Sequence, residues 1–205
     1  GLLTHAGNTY DSNSRNDILD IYRESNYRMN QLREHLNKKG IENIQVSVGD
    51  TPGCWLSDDL GEVDEIRPGN FLFFDAGMLQ LDVCRQSEIA VSVACPVVSI
   101  FTHRQEIVIY GGAIHLSKQP IENSNPAIFG YVVFNPDSSF WEINPDNYVR
   151  SLSQEHGVVK LCDEDINRVK IGDLLYIVPV HSCLVVDALG KYVTLEGDLI
   201  HTRVG

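Results

Sequence analysis

The sequence lacks several features that would place the protein in a familiar class. Its five cysteines are scattered, odd in number and without any CxxC pair, which excludes the usual pattern of a secreted disulfide framework. No apolar run approaches the roughly 20 residues of a membrane-spanning helix, and no internal repeat or low-complexity tract occurs. We therefore expect a protein with reduced cysteines, a cytoplasmic location and no membrane partner.

Basic residues are also scarce relative to acidic ones. The 205 residues include 16 Lys and Arg against 28 Asp and Glu, which gives a formal net charge of −12. A surface of this charge repels phosphate polyanions, so we expect no nucleic-acid partner and no binding to an anionic membrane. Hydrophobic residues make up 43% of the chain, which is enough for a sizeable core in one large or two small domains.

The first residues lack the polar stretch with which domains usually begin. The chain opens GLLTHAG, an immediately apolar stretch that is typical of the middle of a fold. We therefore expect a fragment or one piece of a split protein.

Residues 1–85 show alternating strand and helix patterns. Strands are predicted within residues 1–10, at 44–48 and at 70–75, and a helix is predicted between an N-cap at residues 12–14 and a stop at Gly40. The apolar stripe of this helix consists of Ile18, Tyr22, Ser25, Met29, Leu32 and Leu36. This order is typical of a parallel α/β barrel or an open parallel sheet. A complete (β/α)8 barrel needs about 250 residues, so we expect only its closing portion.

Residues 86–205 predict a separate β-domain, a barrel or a sandwich. Turns with Gly, Asn, Pro and Asp separate the apolar runs, and no helical period is visible beyond a turn at 163–168. The predicted strands are 89–102, 105–112, 127–134, 139–143, 157–161, 174–179, 182–188, 191–195 and 198–203.

Two polar stretches follow predicted strands of the first domain, where barrel enzymes place functional residues. THAGNTY contains His5 and Tyr10, and VSVGDTP contains Gly49 and Thr51 in a turn whose backbone N–H groups could hold a phosphate. Both stretches also suit ordinary turns. In the second stretch, the carboxylate of Asp50 counts against an anion.

Two further stretches lie in the predicted β-domain. SQEHG places Glu155 beside His156, either as an acid/base pair or as a solvated turn before a strand. YIVPVHSC places His181 and Cys183 on one face of a predicted strand, with Cα atoms about 6.5–7 Å apart. An imidazole and a thiolate at this spacing can share one Zn²⁺ that keeps open positions, as catalytic zinc does. The alternative is a buried cysteine beside a histidine that binds the backbone.

Taken in order, THAGNTY, VSVGDTP, RPGNFLFFD, SQEHGVV and IVPVHSC resemble the second half of the D-threonine aldolase and D-serine dehydratase-like enzymes. These are pyridoxal-phosphate (PLP) proteins of the alanine racemase fold type. The resemblance runs from residue 1 to about residue 188. It implies the closing part of a PLP-binding (β/α)8 barrel over residues 1–85 and a C-terminal β-domain over 86–205. It also implies two partners: the missing N-terminal half of the barrel, and a second copy in a homodimer in which one subunit's β-domain completes the other's site.

The resemblance also implies a role for each motif. THAGNTY and SQEHG supply catalytic candidates, VSVG-x-TP binds the phosphate of PLP, and VPVHSC binds a metal near the substrate hydroxyl. The residues concerned are His5, Tyr10 and His156 as catalytic candidates, Ser47, Gly49, Asp50 and Thr51 for the cofactor, and His181 and Cys183 for zinc or another divalent metal.

In such enzymes PLP withdraws electrons from a D-amino acid, and the metal holds its β-hydroxyl for loss of water or for retro-aldol cleavage. We accordingly expect a PLP- and metal-dependent D-amino-acid lyase. The alternatives are a racemase-like PLP protein that needs no metal, and a non-catalytic dimerising or binding module.

The chain departs from the family pattern at several positions. The arg-pro-his-x-lys stretch that carries the PLP-binding lysine is absent, so we expect the isolated chain to be inactive. Asn8 stands where some relatives carry a second histidine, and Asp50 where a small hydroxyl residue is usual. YGGAIHLSK (110–118) replaces an asp-ala-gly stretch, which puts the substrate side in doubt.

Overall fold

The computed structural model describes residues 1–121, 123–134 and 142–202. The chain divides into two compact units. The first comprises residues 1–72 and 80–84, and the second comprises residues 73–79 and 85–205. Among the described residues, no helix combines the length and the apolar character that a bilayer span requires.

The first unit is built on a short parallel sheet. Strand β1 (Leu2–His5) pairs with β2 (Val46–Gly49), and β2 pairs with β3 (Glu65–Ile66), both in parallel register. Because the two parallel strands β1 and β2 run in one direction, their carboxyl ends meet at the same edge of the sheet. The β-α-β order predicted for this part of the chain is confirmed.

The connection between β1 and β2 is the long helix α1 (Arg15–Asn37). The side chain of Ser14 caps it by accepting a backbone N–H of the first turn. The predicted apolar stripe is buried only in its first half, where Ile18 and Tyr22 pack into the core, whereas Leu32 is exposed. The helix is therefore held to the sheet mainly through its N-terminal turns.

Residues 70–75 do not form the strand that the sequence predicted. Asn70–Leu72 make a 3-10 turn, and Phe74 has a left-handed backbone with φ of 50°. A strand cannot continue through that conformation, and helix α3 (Ala76–Gln80) follows at once. The apolar FLFF run had the composition of a strand but not its backbone.

The second unit contains a closed six-stranded antiparallel barrel with the strand order β4-β5-β8-β7-β6-β9. This confirms the predicted β-domain and selects the barrel over the sandwich. The strands are β4 (Val93–Phe101), β5 (Glu106–Tyr110), β6 (Gly130–Val133), β7 (Tyr148–Leu152), β8 (His156–Lys160) and β9 (Leu174–Pro179). A separate hairpin consists of β10 (Lys191–Val193) and β11 (Leu199–His201).

Two predicted strands of this half touch residues outside the described ranges. Positions 139–141 of the 139–143 prediction and position 203 of the 198–203 prediction lie there, and residues 142–143 form no strand. The next strand is β7, which the sequence did not predict. The barrel interior is filled by fully buried aliphatic side chains contributed by alternate strand positions, among them Ile107, Ile109, Val149, Val159 and Ile177.

Three short helices also belong to the second unit: α4 (Ala113–Leu116), α5 (Asp163–Ile166) and α6 (Ser182–Leu189). The predicted helical turn at 163–168 is confirmed by α5. The expectation that this half contains no other helix is wrong, and so is the predicted strand at 182–188. The SCLVVDAL run is apolar all along, and periodicity cannot distinguish a buried strand from a buried helix in such a run. Gly190 ends α6 with a φ of 68°.

A buried carboxylate ties α5 to the barrel. Asp165 accepts hydrogen bonds from the Asn147 side chain at 2.6 Å, from the Cys162 thiol at 3.2 Å and from Arg168 at 2.9 Å. Burial by itself raises the pKa of Asp165, but these three bonds outweigh it and lower the pKa below the ordinary value. The ionised form is therefore the one that the fold stabilises.

We expect Asp165→Ala to lower the free energy of unfolding by about 2–3 kcal/mol at neutral pH, because hydrogen bonds to a charged group are lost and the buried Asn147 side chain loses an acceptor. Since the folded pKa is lowered, this contribution is present above the unfolded pKa of about 4 and disappears as the pH falls through the folded value. Urea unfolding at pH 7 and pH 3 measures both effects. Glu164→Ala, which removes an exposed carboxylate of the same helix, is the control. A pH-independent difference would contradict the assignment.

Candidate functional site

The first candidate site lies where β1 and β2 end. The ring of His5 stacks on that of Tyr10, with centroids 5.9 Å apart and planes inclined by 10°. The hydroxyl oxygen of Tyr10 accepts the backbone N–H of Thr51 at 3.2 Å. The structure therefore brings the THAGNTY and VSVGDTP stretches together at one edge of the sheet.

Asp50 occupies the turn after β2. Its carboxylate, 2% exposed, caps helix α2 (Thr51–Leu56) by accepting the N–H of Gly53 at 2.5 Å, and it also accepts from the hydroxyl of Thr9 at 3.1 Å. Burial raises the pKa of Asp50, while these hydrogen bonds act in the opposite direction. The start of α2 is thus already filled by a side chain of the protein itself.

Arg67 is a residue of this cluster that sequence reasoning missed. Its Nε donates to the hydroxyl of Ser47 and its Nη2 donates to the carbonyl of Thr4, both at 2.7 Å. A Cβ atom on Gly49 would lie 3.1 Å from Nη1, so glycine lets the guanidinium approach the strand closely. The local sequence RPG gives no sign of this role, which follows from the contacts of Arg67 with Ser47 and Thr4.

His156 lies in the second unit, at the first position of β8. It stands opposite Tyr110 in the barrel register, and their rings meet edge-to-face at 5.5 Å. Ser153 closes the preceding turn, with its N–H and its hydroxyl both donating to the carbonyl of His156. SQEHG is therefore a turn that leads into a strand, and a catalytic role for His156 stays a prediction.

His181 and Cys183 flank the start of α6. The prediction that they share one face of a strand is wrong, because the chain turns into a helix at Ser182. His181 is the N-cap residue and Cys183 is the second residue of the helix. Both side chains are partly buried, and the two residues lie on either side of Ser182, the first residue of the helix.

A buried carboxylate fixes this helix start. Asp75, with 0% exposure, accepts the N–H of Ser182 at 2.8 Å and the N–H of Met78 at 2.9 Å. One side chain therefore caps α6 and α3 at the same time. Beside it, the N–H of Gly77 donates to the carbonyl of Val180 at 3.2 Å, which joins the FFDAG and VPVHSC stretches.

The charge of Asp75 acts on both members of the pair. Burial lowers the pKa of His181, and Asp75 opposes this shift. Burial raises the pKa of Cys183 above its ordinary value, and the charge of Asp75 raises it further. At neutral pH the metal-free pair is therefore a neutral imidazole and a protonated thiol, and a bound metal must displace the thiol proton.

His181 and Cys183 are two candidate metal-binding side chains. Within residues 1–121, 123–134 and 142–202, no group of three or more His, Cys, Asp and Glu side chains is arranged to hold a metal ion. Structural zinc sites are closed by four protein ligands, whereas catalytic sites keep positions for water or substrate. An imidazole and a thiolate with a buried carboxylate nearby fit an open divalent-metal site, not a structural one.

Residues 90–195 match the family model described as "putative serine dehydratase domain". The match covers more than half of the chain, which therefore belongs to this family. It includes the β-barrel, the SQEHG stretch and the His181–Cys183 pair. The family resemblance indicated by the ordered motifs is confirmed.

The curated relatives and solved structures agree with this assignment. The chain is 27% identical over 208 residues to the D-serine dehydratase of Dictyostelium discoideum, covering 97% of this chain and 51% of the relative. It is similar to an alanine racemase-like protein from Idiomarina loihiensis, with a TM-score of 0.85 and 28% identity over 98% of this chain and 54% of that one.

The D-threo-3-hydroxyaspartate dehydratase of Delftia sp. HT23 is similar in both sequence and structure. It is 27% identical over 203 residues, covering 97% of this chain and 53% of the relative. Its solved structure has a TM-score of 0.84 at 25% identity over 98% of this chain. Another structure of the same enzyme, in which a cysteine is changed to alanine, is described as the metal-free form. The chain spans about half the length of the curated relatives it matches.

We expect Asp75→Ala to loosen the start of α6. The mutation leaves the buried N–H groups of Ser182 and Met78 without their acceptor, which costs about 2–4 kcal/mol. The first turn of α6 then opens more often and exposes the thiol of Cys183. The labelling rate of Cys183 by a thiol reagent in native buffer, followed by peptide mass spectrometry, is therefore expected to rise. Asp187→Ala removes an exposed carboxylate of the same helix and serves as the control. Equal labelling rates in both variants would contradict the capping role.

Proposed function

We propose that this chain is the C-terminal half of a PLP- and divalent-metal-dependent D-amino-acid lyase of the D-serine dehydratase or D-threonine aldolase type. Family membership supports the dehydratase class. The observation that carries the metal dependence is the His181–Cys183 pair at the start of α6, held by the buried carboxylate of Asp75. The intact protein is proposed to act on a small D-amino acid as a cytoplasmic homodimer.

The first unit is proposed to be the closing part of a (β/α)8 barrel. Its three strands are parallel and joined by a helix, which is the construction of such barrels. The chain spans about half of its curated relatives, in agreement with a barrel that is completed by another half. This half is proposed as the partner of the chain.

The metal pair fits its proposed task. A divalent metal with open positions polarises a bound hydroxyl group and makes its departure or deprotonation easier. The chain contributes the imidazole of His181 and the thiol of Cys183, and Asp75 orients the backbone that connects them. A relative from Delftia, for which a metal-free form is described, supports the presence of a metal in this family.

Only some of the residues at the ends of β1 and β2 fit the phosphate of PLP. Arg67, beside Gly49 at the strand ends, suits an anionic group. Asp50 and Thr51 do not fit a phosphate in the arrangement present, because the Asp50 carboxylate fills the start of α2 and the N–H of Thr51 is bound to Tyr10. PLP enters this proposal through the family resemblance, and we assign no chemical step to these residues through it.

We expect the 205-residue chain to bind one zinc ion per molecule and to lose it in both His181→Ala and Cys183→Ala. Each mutation removes one of two protein ligands. Elemental analysis after exhaustive dialysis measures the stoichiometry, and circular dichroism checks the fold. His103→Ala, at an exposed position of the second unit, is the matched control. A wild-type chain that binds no zinc would contradict the proposed metal dependence and favour the alternative of a non-catalytic binding module.

We further expect PLP added to this chain alone to produce no visible absorbance band from a lysine adduct. The six lysines are Lys38, Lys39, Lys118, Lys160, Lys170 and Lys191, and none belongs to the strand-end stretches around His5 and Gly49. Spectra of the chain with excess PLP, before and after borohydride reduction and peptide mapping, provide the measurement. A stoichiometric adduct that is abolished by changing one of these lysines would show that the chain carries its own PLP-binding lysine.

A further inference from the structure

The ring of His181 has a hydrogen-bond partner that no motif pointed to. Its Nδ1 lies 2.9 Å from the side-chain oxygen Oε1 of Gln119. Gln119 is in the segment that follows α4, a helix that packs against α6. The partner therefore reaches the pair from a different part of the second unit.

The backbone before Gln119 is shaped to present this side chain. Ser117 ends α4 in a left-handed conformation with φ of 65°, and its N–H donates to the carbonyl of Ala113 at 2.9 Å. Its hydroxyl accepts the N–H of Gln119 at 3.3 Å. The segment thus leaves α4 through a defined turn, and the Gln119 side chain extends from it to the imidazole.

The position of the imidazole proton and the orientation of the Gln119 amide depend on each other. A carboxamide oxygen only accepts hydrogen bonds, and a neutral imidazole has one N–H donor and one lone pair. An Oε1 atom of Gln119 at Nδ1 forms a hydrogen bond when the proton is on Nδ1, which leaves the lone pair on Nε2; the opposite amide orientation goes with the opposite tautomer. A ligating imidazole coordinates through a lone pair, and the hydrogen bond of its other nitrogen decides which one that is.

We infer that Gln119 is a positioning residue that holds the proton of His181 on Nδ1 and so presents Nε2 to the metal. The inference rests on the proposed function, because it assigns a role at the metal pair proposed there. Asp75 fixes the backbone at Ser182, and Gln119 fixes the ring. Together they leave the imidazole in one orientation and one tautomer before any metal binds.

The tautomer can be measured without metal and without activity. In ¹⁵N-edited NMR spectra of the metal-free 205-residue chain at about pH 8.5, well above the ordinary histidine pKa of about 6.5, the His181 ring is expected to carry its proton on Nδ1. Gln119→Ala is expected to lose this preference, and Gln119→Glu, which keeps an acceptor at the same reach, is expected to retain it. His181→Ala identifies the resonance among the seven histidines.

The metal affinity provides the second readout. Loss of an outer partner of a metal-ligating histidine typically weakens metal binding about 10- to 100-fold, so we expect Gln119→Ala to raise the zinc Kd by that factor in chelator competition. Gln119→Glu is expected to bind zinc at least as tightly as the wild type. Gln154→Ala, an exposed glutamine in the same unit, is expected to leave both the tautomer and the Kd unchanged.

The outcomes separate this inference from the proposal on which it rests. If the wild-type chain binds no zinc, the proposed function and the inferred role both fall. If the wild type binds zinc through His181 but Gln119→Ala keeps the same Kd and the same tautomer, the proposed function stands and the role of Gln119 is overturned. A wild-type ring protonated on Nε2 would also overturn it, because Gln119 would then be donating to Nδ1.

Discussion

The buried carboxylate of Asp75 is the contact on which the geometry of the His181–Cys183 pair depends. One oxygen accepts the N–H of Ser182 and the other accepts the N–H of Met78, so two short helices start at a single side chain. Without this acceptor, the buried N–H of Ser182, the residue between His181 and Cys183, would have no hydrogen-bond partner at the start of α6. The buried charge also makes the surroundings of the pair more favourable for a cation.

The HSC pattern at residues 181–183 and the capping by Asp75 together suit the proposed binding of a divalent metal. In the proposed function, His181 and Cys183 are the two protein ligands of an open metal site, and the ring of His181 is held by Gln119. The second cluster, at the ends of β1 and β2, is organised by hydrogen bonds between its own residues, and Asp50 fills the position where a phosphate was expected. The residues around His181 and Cys183 therefore fit a metal better than the residues around Asp50 fit the phosphate of PLP.

Local signals in the sequence were enough to predict some elements. The N-cap candidates at residues 12–14 include Ser14, which begins α1. The apolar runs separated by turn residues predicted a β-domain, and the structure shows that it is a closed barrel. The errors arose where distant contacts decide the backbone. Residues 182–188 become a helix because Asp75, 107 positions away, caps it, and no local pattern reports such a partner. Arg67 was missed for the same reason, since its role depends on contacts with Thr4 and Ser47.

The central claim is a divalent metal held by His181 and Cys183 with positions left for substrate. Zinc-edge X-ray absorption of the zinc-loaded 205-residue chain tests it most directly. The account predicts one sulfur ligand at about 2.3 Å, one imidazole nitrogen at about 2.0–2.1 Å and remaining oxygen ligands from water. A coordination shell without sulfur, or one closed by four protein ligands, would contradict it.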